Sequence, residues 1–180
     1  MARSARKFDK KKREEWLTTI QSMTPDVNPR AVRLMDELRL IAHSLYQIGE
    51  LSLAASGLTY AKYRLLMGLF FHEKLGHGSQ MNPSEISEQQ GTSRNTISAL
   101  IRDLEEDNLL ERSLDPHDRR KFNIGLTDKG RELVHEHVSS HFRTVGACFD
   151  VLDKSEQETL SNLLVKLSAS VFEAHEQLAE

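Results

Sequence analysis

The residues of this 180-residue chain whose types and spacing carry chemistry lie between Ser93 and Lys121. Arg94, Asn95, Ser98 and Arg102 are short or planar hydrogen-bonding groups. An arginine fork matches guanine, an asparagine amide pairs with adenine, and a serine hydroxyl donates to phosphate oxygens. Further along, Arg119, Arg120 and Lys121 crowd three cations beside Asp115, Pro116, His117 and Asp118, a run of turn formers. These are groups for holding a polyanion and reading its bases. No glycine-rich phosphate loop, nucleophile elbow or paired metal motif accompanies them, so neither catalysis nor a cofactor is expected.

Two elements must position these groups. Ile97, Leu100, Ile101 and Leu104 recur at i, i+3, i+4 and i+7, which predicts a helix from about Arg94 to Asp107 with that stripe buried and Arg94, Asn95, Ser98 and Arg102 facing outward. Ser93 is its N-cap, and Asn108 can take the left-handed conformation that ends it. Asp103, Glu105, Glu106 and Asp107 gather at its far end, so only the N-terminal half is fit to enter a groove lined by phosphates. After it, Leu110, Arg112 and Leu114 alternate with Glu111 and Ser113, and Phe122, Ile124 and Leu126 with Asn123 and Gly125, which predicts two short antiparallel strands. A basic hairpin alone is an exposed turn with solubilising charges; the neighbouring helix gives it a purpose.

Upstream, Asn82 and Pro83 read as N-cap and first helical residue, Glu85 completes a capping box, and Gly91 closes a short helix. The order is helix, tight turn, helix, hairpin. With TYAKYRLLMGLF before it, the stretch NPSEISEQQGTSRNTISALIRDLEEDNLLERSLDPHDRRKFNIGLTDKG resembles the winged helix-turn-helix core of the MarR (multiple antibiotic resistance regulator) transcription factors. The family's wing pattern is matched by Asp118, Arg120, Leu126 and Thr127, with Gly130 following. The likeness is close over residues 58 to 130 and loose in the flanks. Asn108 departs from the glycine usual in the family, a small departure because Asn is the next residue to tolerate that conformation.

The resemblance implies a fold that is mainly α with a small β-hairpin, a winged helix-turn-helix core flanked by N- and C-terminal dimerisation helices. It implies that Arg120 enters the minor groove, with Asp118 fixing its geometry by an ion pair, and that Arg119 is a second cation for groove or phosphate. A narrow minor groove concentrates negative potential, which suits an inserted arginine. Base readers would come from Ser93, Arg94, Asn95, Thr96 and Ser98. Family members often bind phenolic or other aromatic carboxylates in a crevice beside the dimerisation helices, which His43, Tyr46, Tyr63, Arg64 and Phe71 could border; aromatic residues at helical spacing also serve simply as core. The expected function is a transcriptional regulator of double-stranded DNA, a homodimeric repressor of a pseudo-palindromic operator released by a small aromatic ligand.

The net charge of -3 is unevenly spread. Residues 1–60 carry 10 Lys or Arg against 7 Asp or Glu, residues 61–130 carry 10 against 11, and residues 131–180 carry 4 against 9. Phosphate contact depends on the local field, so an acidic C-terminal region is compatible with a DNA-binding lobe elsewhere. Arg3, Arg6, Lys7, Lys10, Lys11, Lys12 and Arg13 oppose only Asp9, and form either an arm that touches phosphates or a solvated leader. No run is long and apolar enough to span a bilayer and the N-terminus lacks a signal-peptide stretch, so a cytoplasmic protein with no membrane partner is expected.

Beyond the core, Asn28 and Pro29 start a helix in which Leu34, Leu38, Ile41, Leu45 and Ile48 make a coiled-coil-like seam. Thr127 caps a helix running towards Asp150, and Asp153 with Glu156 begins another whose Leu160, Leu163, Leu164, Leu167 and Val171 form a stripe. These stripes either pair two chains or pack on each other within one. The sequence thus divides into a basic extension (1–27), an N-terminal dimerisation helix (28–57), the DNA-binding lobe (58–130) and C-terminal dimerisation helices (131–180).

A second reading keeps this fold but changes the signal. His137 and His141 have the i, i+4 spacing that binds zinc or another transition metal, although a strong site needs further ligands and only His43, His72, His77 and Cys148 are at hand. The single cysteine, Cys148, invites a redox role, but no nearby cation would lower its pKa, and a buried structural thiol is expected.

Overall fold

The computed structural model describes residues 10–54, 56–115 and 120–179. Its elements run α1 (Lys10–Met23), α2 (Pro29–Ser52), α3 (Tyr60–Lys74), β1 (Gln80–Met81), α4 (Pro83–Gln90), α5 (Arg94–Glu106), β2 (Leu110–Leu114), β3 (Phe122–Leu126), α6 (Asp128–Gly146) and α7 (Lys154–Ala179), with a 3-10 turn at Ala147–Phe149 between the last two. The fold is mainly helical with one small antiparallel sheet. Two compact units divide the chain, Met1–Gln47 and Ile48–Glu180.

In the first unit, α1 lies along the start of α2. Leu17 is its buried apolar contact, and ion pairs do the rest. Arg13 Nε and Arg39 Nη2 donate to the two oxygens of Asp36 at 2.7 and 2.8 Å, and Arg33 forks onto Glu14 at 2.8 and 2.9 Å. Asp36 is buried, and the hydrogen bond from Arg39, then that from Arg13, holds its carboxyl below the usual carboxylate range against the effect of desolvation. Lys11, Lys12 and Arg13 therefore belong to a helix rather than to a loose arm, while residues 1–9 of the basic stretch lie outside the described residues.

The second unit is built round one core. Tyr63, Leu65, Leu66 and Leu69 of α3, Ile86 of α4, Ile97, Ile101 and Leu104 of α5, Leu110 of β2, Ile124 and Leu126 of β3, and Val134 of α6 are all buried together. At about 25 cal/mol per Å² of apolar surface, such a cluster is what fixes the surrounding helices against each other. The local signals act as the sequence leads one to expect. Asn82 and Glu85 form the capping box of α4, Gly91 ends it at φ 59°, Ser93 caps α5, and Asn108 sits at φ 56° directly after it.

Strands β2 and β3 pair from Leu110 opposite Leu126 to Leu114 opposite Phe122, and Asp115 N donates to Lys121 O at 3.0 Å to close the turn. The sheet has a third member that periodicity did not announce. Gln80 and Met81 pair with Gly125 and Ile124, giving the order β1-β3-β2. Gly125 permits this approach, since a Cβ there would lie 3.1 Å from Gln80 Cγ and 3.3 Å from Ser79 O. On helix α7, Leu163, Leu164, Leu167, Val171 and Phe172 all stand exposed on the single chain. On α2, Leu34, Leu38 and Ile41 are exposed in the same way. No helix of the described residues is long and apolar enough to cross a membrane.

Candidate nucleic-acid interface

Helix α5 separates its two faces completely. Ile97, Ile101 and Leu104 are buried, while Ser93, Arg94, Asn95, Thr96, Ser98 and Arg102 are exposed. Ser93 Oγ accepts from Thr96 N at 3.2 Å and lies 2.9 Å from the Thr96 hydroxyl, so these two groups organise the helix start and keep hydroxyl capacity facing solvent. The preceding turn is held by Ser87 Oγ donating to Thr92 O at 2.6 Å. A rigid N-terminus whose backbone N–H groups and polar side chains point the same way is suited to phosphate and base edges.

The acidic C-terminal half of α5 is not a bare repulsive patch. Lys62 of α3 reaches Asp107 at 3.2 Å and Asp103 at 3.4 Å. Burial acts to lower the Lys62 pKa, but hydrogen bonding and charge attraction from the two carboxylates outweigh it and the pKa is raised. Lys129 Nζ donates to Asp107 O at 2.8 Å. Glu105 accepts two bonds from Arg112 of the wing, from Nε at 3.1 Å and from Nη2 at 2.8 Å. These partners lie far away in sequence or across a turn, and no periodicity signals them. Between them Lys62 and Arg112 set two cations against three of the four carboxylates and tie the helix to its neighbours.

In the wing, Arg112 also lies over the Phe122 ring, with Cζ 5.3 Å from its centroid. Ser113 Oγ donates to Gln80 Oε1 at 2.9 Å, and Asn123 Nδ2 to Asp115 Oδ2 at 3.0 Å. Arg120 and Lys121 are exposed at the tip. Asp118 and Arg119 lie outside the described residues, so the ion pair of Asp118 with Arg120 stays a sequence expectation.

The residues of the second reading do not come together. His141 is buried and packs against Tyr60, Tyr63 and Phe142, with ring centroids 5.3, 5.5 and 5.5 Å away, and its Nδ1 lies 3.4 Å from Ser52 Oγ. Burial lowers its pKa. The same burial pushes the Tyr63 hydroxyl up to about 12. His137 is half-buried, and the described residues contain no group of three or more His, Cys, Asp or Glu able to hold a metal ion. Cys148, expected to be buried, is exposed: the 3-10 turn after α6 carries it away from the core, and its thiol donates to Thr144 O at 3.7 Å. Of the residues offered for a ligand crevice, Tyr63 is core and Phe71 is half-buried, edge-on to Phe70 and Phe142.

Comparison with known proteins agrees with this geometry. Residues 56–121 match the family described as MarR family. The transcriptional repressor YetL of Bacillus subtilis is 24% identical over 148 residues, covering 82% of this chain and 84% of its own length. Among solved structures, a MepR–DNA complex from S. aureus superposes with a TM-score of 0.68 at 27% identity, over 76% of this chain and 96% of that one. BpsR of Bordetella bronchiseptica, solved to explain regulation of its DNA binding by 6-hydroxynicotinic acid, gives 0.64 at 28% identity over 74% and 91%.

Proposed function

The chain belongs to the MarR family of winged helix-turn-helix transcriptional regulators, and from that premise we propose that it binds a pseudo-palindromic operator as a homodimer and represses transcription until a small aromatic or phenolic ligand releases it. The observation that carries the reading is the division of α5 into a buried apolar face and an exposed face of hydrogen-bonding groups, with a cationic hairpin beside it. Ser93, Arg94, Asn95, Thr96 and Ser98 read the major groove, Arg102 meets phosphate, and Asp118, Arg119 and Arg120 form the wing contact with the minor groove. The working division is the lobe 58–130 between dimerisation helices 28–57 and 131–180, in a cytoplasmic protein.

Pairing is supported by the apolar rows on α2 and α7. A 26-residue helix with Leu163, Leu164, Leu167, Val171 and Phe172 in water is costly, and a second copy covers it with the same row. One recognition helix per chain also reads only a half-site, so two-fold pairing doubles the sequence read. Repression follows the Bacillus relative, itself a repressor, and control by a small aromatic ligand is supported by the Bordetella relative, whose DNA binding is regulated by 6-hydroxynicotinic acid.

The experiment is selection of an operator from a randomised duplex pool, followed by affinity measurement with Arg94→Ala and Asn95→Ala. The enriched site should contain inverted half-sites about 10 base pairs apart or a multiple of that. Each substitution should cost about 1 to 3 kcal/mol on that site and much less on unrelated DNA. Retained operator preference in both folded, dimeric variants would defeat the reading. Aromatic hydroxy acids added to the complex should weaken it.

A further inference from the structure

We propose that Arg112 is a positioning residue for DNA recognition: its double hydrogen bond to Glu105 and its stacking on Phe122 set the angle between the wing and the recognition helix. The inference rests on the reading of α5 and the wing as the DNA interface. It assigns a role to two residues that need not touch DNA.

The geometry is specific. Glu105 is in the last turn of α5, Arg112 in the middle of β2, and Phe122 at the start of β3, so one guanidinium joins the helix to both strands of the wing. A fork on a carboxylate fixes distance and plane together, and the ring beneath fixes the second face of the guanidinium. The wing needs such a tie. Its base is anchored in the core by Leu110, Ile124 and Leu126, but β1 reaches only Gly125 and Ile124, and further out Leu114 and Phe122 are exposed. Beyond the base, the hairpin is a two-stranded ribbon, which twists and bends easily in isolation. Its tip carries Arg120, so a small swing at Arg112 becomes a larger displacement where the minor groove is met. With side-chain exposures of 42% and 27%, the Arg112–Glu105 pair contributes little to global stability, which separates positioning from folding.

The test compares Glu105→Gln and Arg112→Lys with the native protein on the selected operator. Glu105→Gln removes a negative charge near DNA, so a purely electrostatic role, or a direct phosphate contact by Arg112, would leave affinity unchanged or raise it. Positioning predicts the opposite sign: affinity falls about tenfold, within the range for coupled neighbours. Arg112→Lys keeps the charge but loses the fork, and should fall similarly. Melting temperature should hold in both, and hydroxyl-radical footprints should lose minor-groove protection at the flanks while central major-groove protection remains. In an Arg120→Ala background Glu105→Gln should have no further effect, because the contact it positions is gone. Unchanged or tighter binding by Glu105→Gln, or full additivity with Arg120→Ala, overturns the proposal. If Arg94→Ala and Arg120→Ala weaken binding as expected, that failure belongs to the clamp alone; if they too are silent, the interface reading falls and the clamp with it.

Discussion

Gly130 in the first turn of α6 lies directly against the carbonyl oxygen of Leu109, leaving no room for a Cβ. The crowding comes from how helix and wing are joined. Thr127 N donates to Leu109 O at 3.2 Å, Thr127 Oγ1 donates to Asn108 O at 2.8 Å and accepts from Gly130 N at 3.1 Å, so the start of α6 is wrapped onto the left-handed turn that leads into β2. The glycine at this position in the wing motif is a matter of space rather than of a positive φ.

Gly130→Ala should therefore destabilise the protein although alanine is the better helix former. Its methyl must displace backbone on one side and Leu126 on the other, at a cost of about 1 to 3 kcal/mol. Urea unfolding measures it. A variant as stable as the native protein, or more stable, would show that the joint yields freely.

How much of this was legible in the sequence depends on the range of the interaction. The strands 110–114 and 122–126, the capping box at Asn82 and the stripe of α5 follow from spacings of two to four residues, and each appears where periodicity places it. Strand β1 has two residues, too few for a period, and it passes close over Gly125. Lys62 meets Asp107 across 45 positions, so the charge at the end of α5 could be counted in the sequence but its neutralisation could not. With His137 and His141, i, i+4 spacing gave proximity along one helix but not which way that face turns; Tyr60 and Tyr63 draw His141 inward. Similarly, the expectation of a buried structural thiol at Cys148 fails because the 3-10 turn at the end of α6 leaves it in water.

His141 gives the second prediction. Burial lowers its pKa and so favours the neutral ring, and Ser52, Tyr60, Tyr63 and Phe142 pack around it. In the unfolded chain a histidine takes its proton near pH 6.5. Between that value and its lowered folded value the unfolded state binds the extra proton, so this contribution is complete above about pH 6.5 and declines as the pH falls through the window. Seven other histidines are present, so the measurement is a difference: the loss of stability between pH 7.5 and 5.5 should be smaller in His141→Gln than in the native protein. Equal losses would mean that His141 accepts a proton where it stands.

The third prediction concerns the wing tip. Lys121 O closes the turn by accepting from Asp115 N, leaving Arg120 exposed at the end of a short ribbon. If Arg120 neutralises phosphate charge in the minor groove, a dimer releases about two counterions through its two copies, and Arg120→Ala should lower the magnitude of the slope of log K against log salt by about 2. Binding should weaken on many sequences, because the minor groove distinguishes bases poorly, whereas Arg94→Ala should act chiefly on the selected operator. Stability should hardly move, since an exposed arginine contributes little to folding. Operator affinity measured across a range of salt, with a thermal melt as control, separates these effects. An unchanged slope and affinity in Arg120→Ala would mean that the hairpin tip stays clear of the DNA and that α5 binds without a wing.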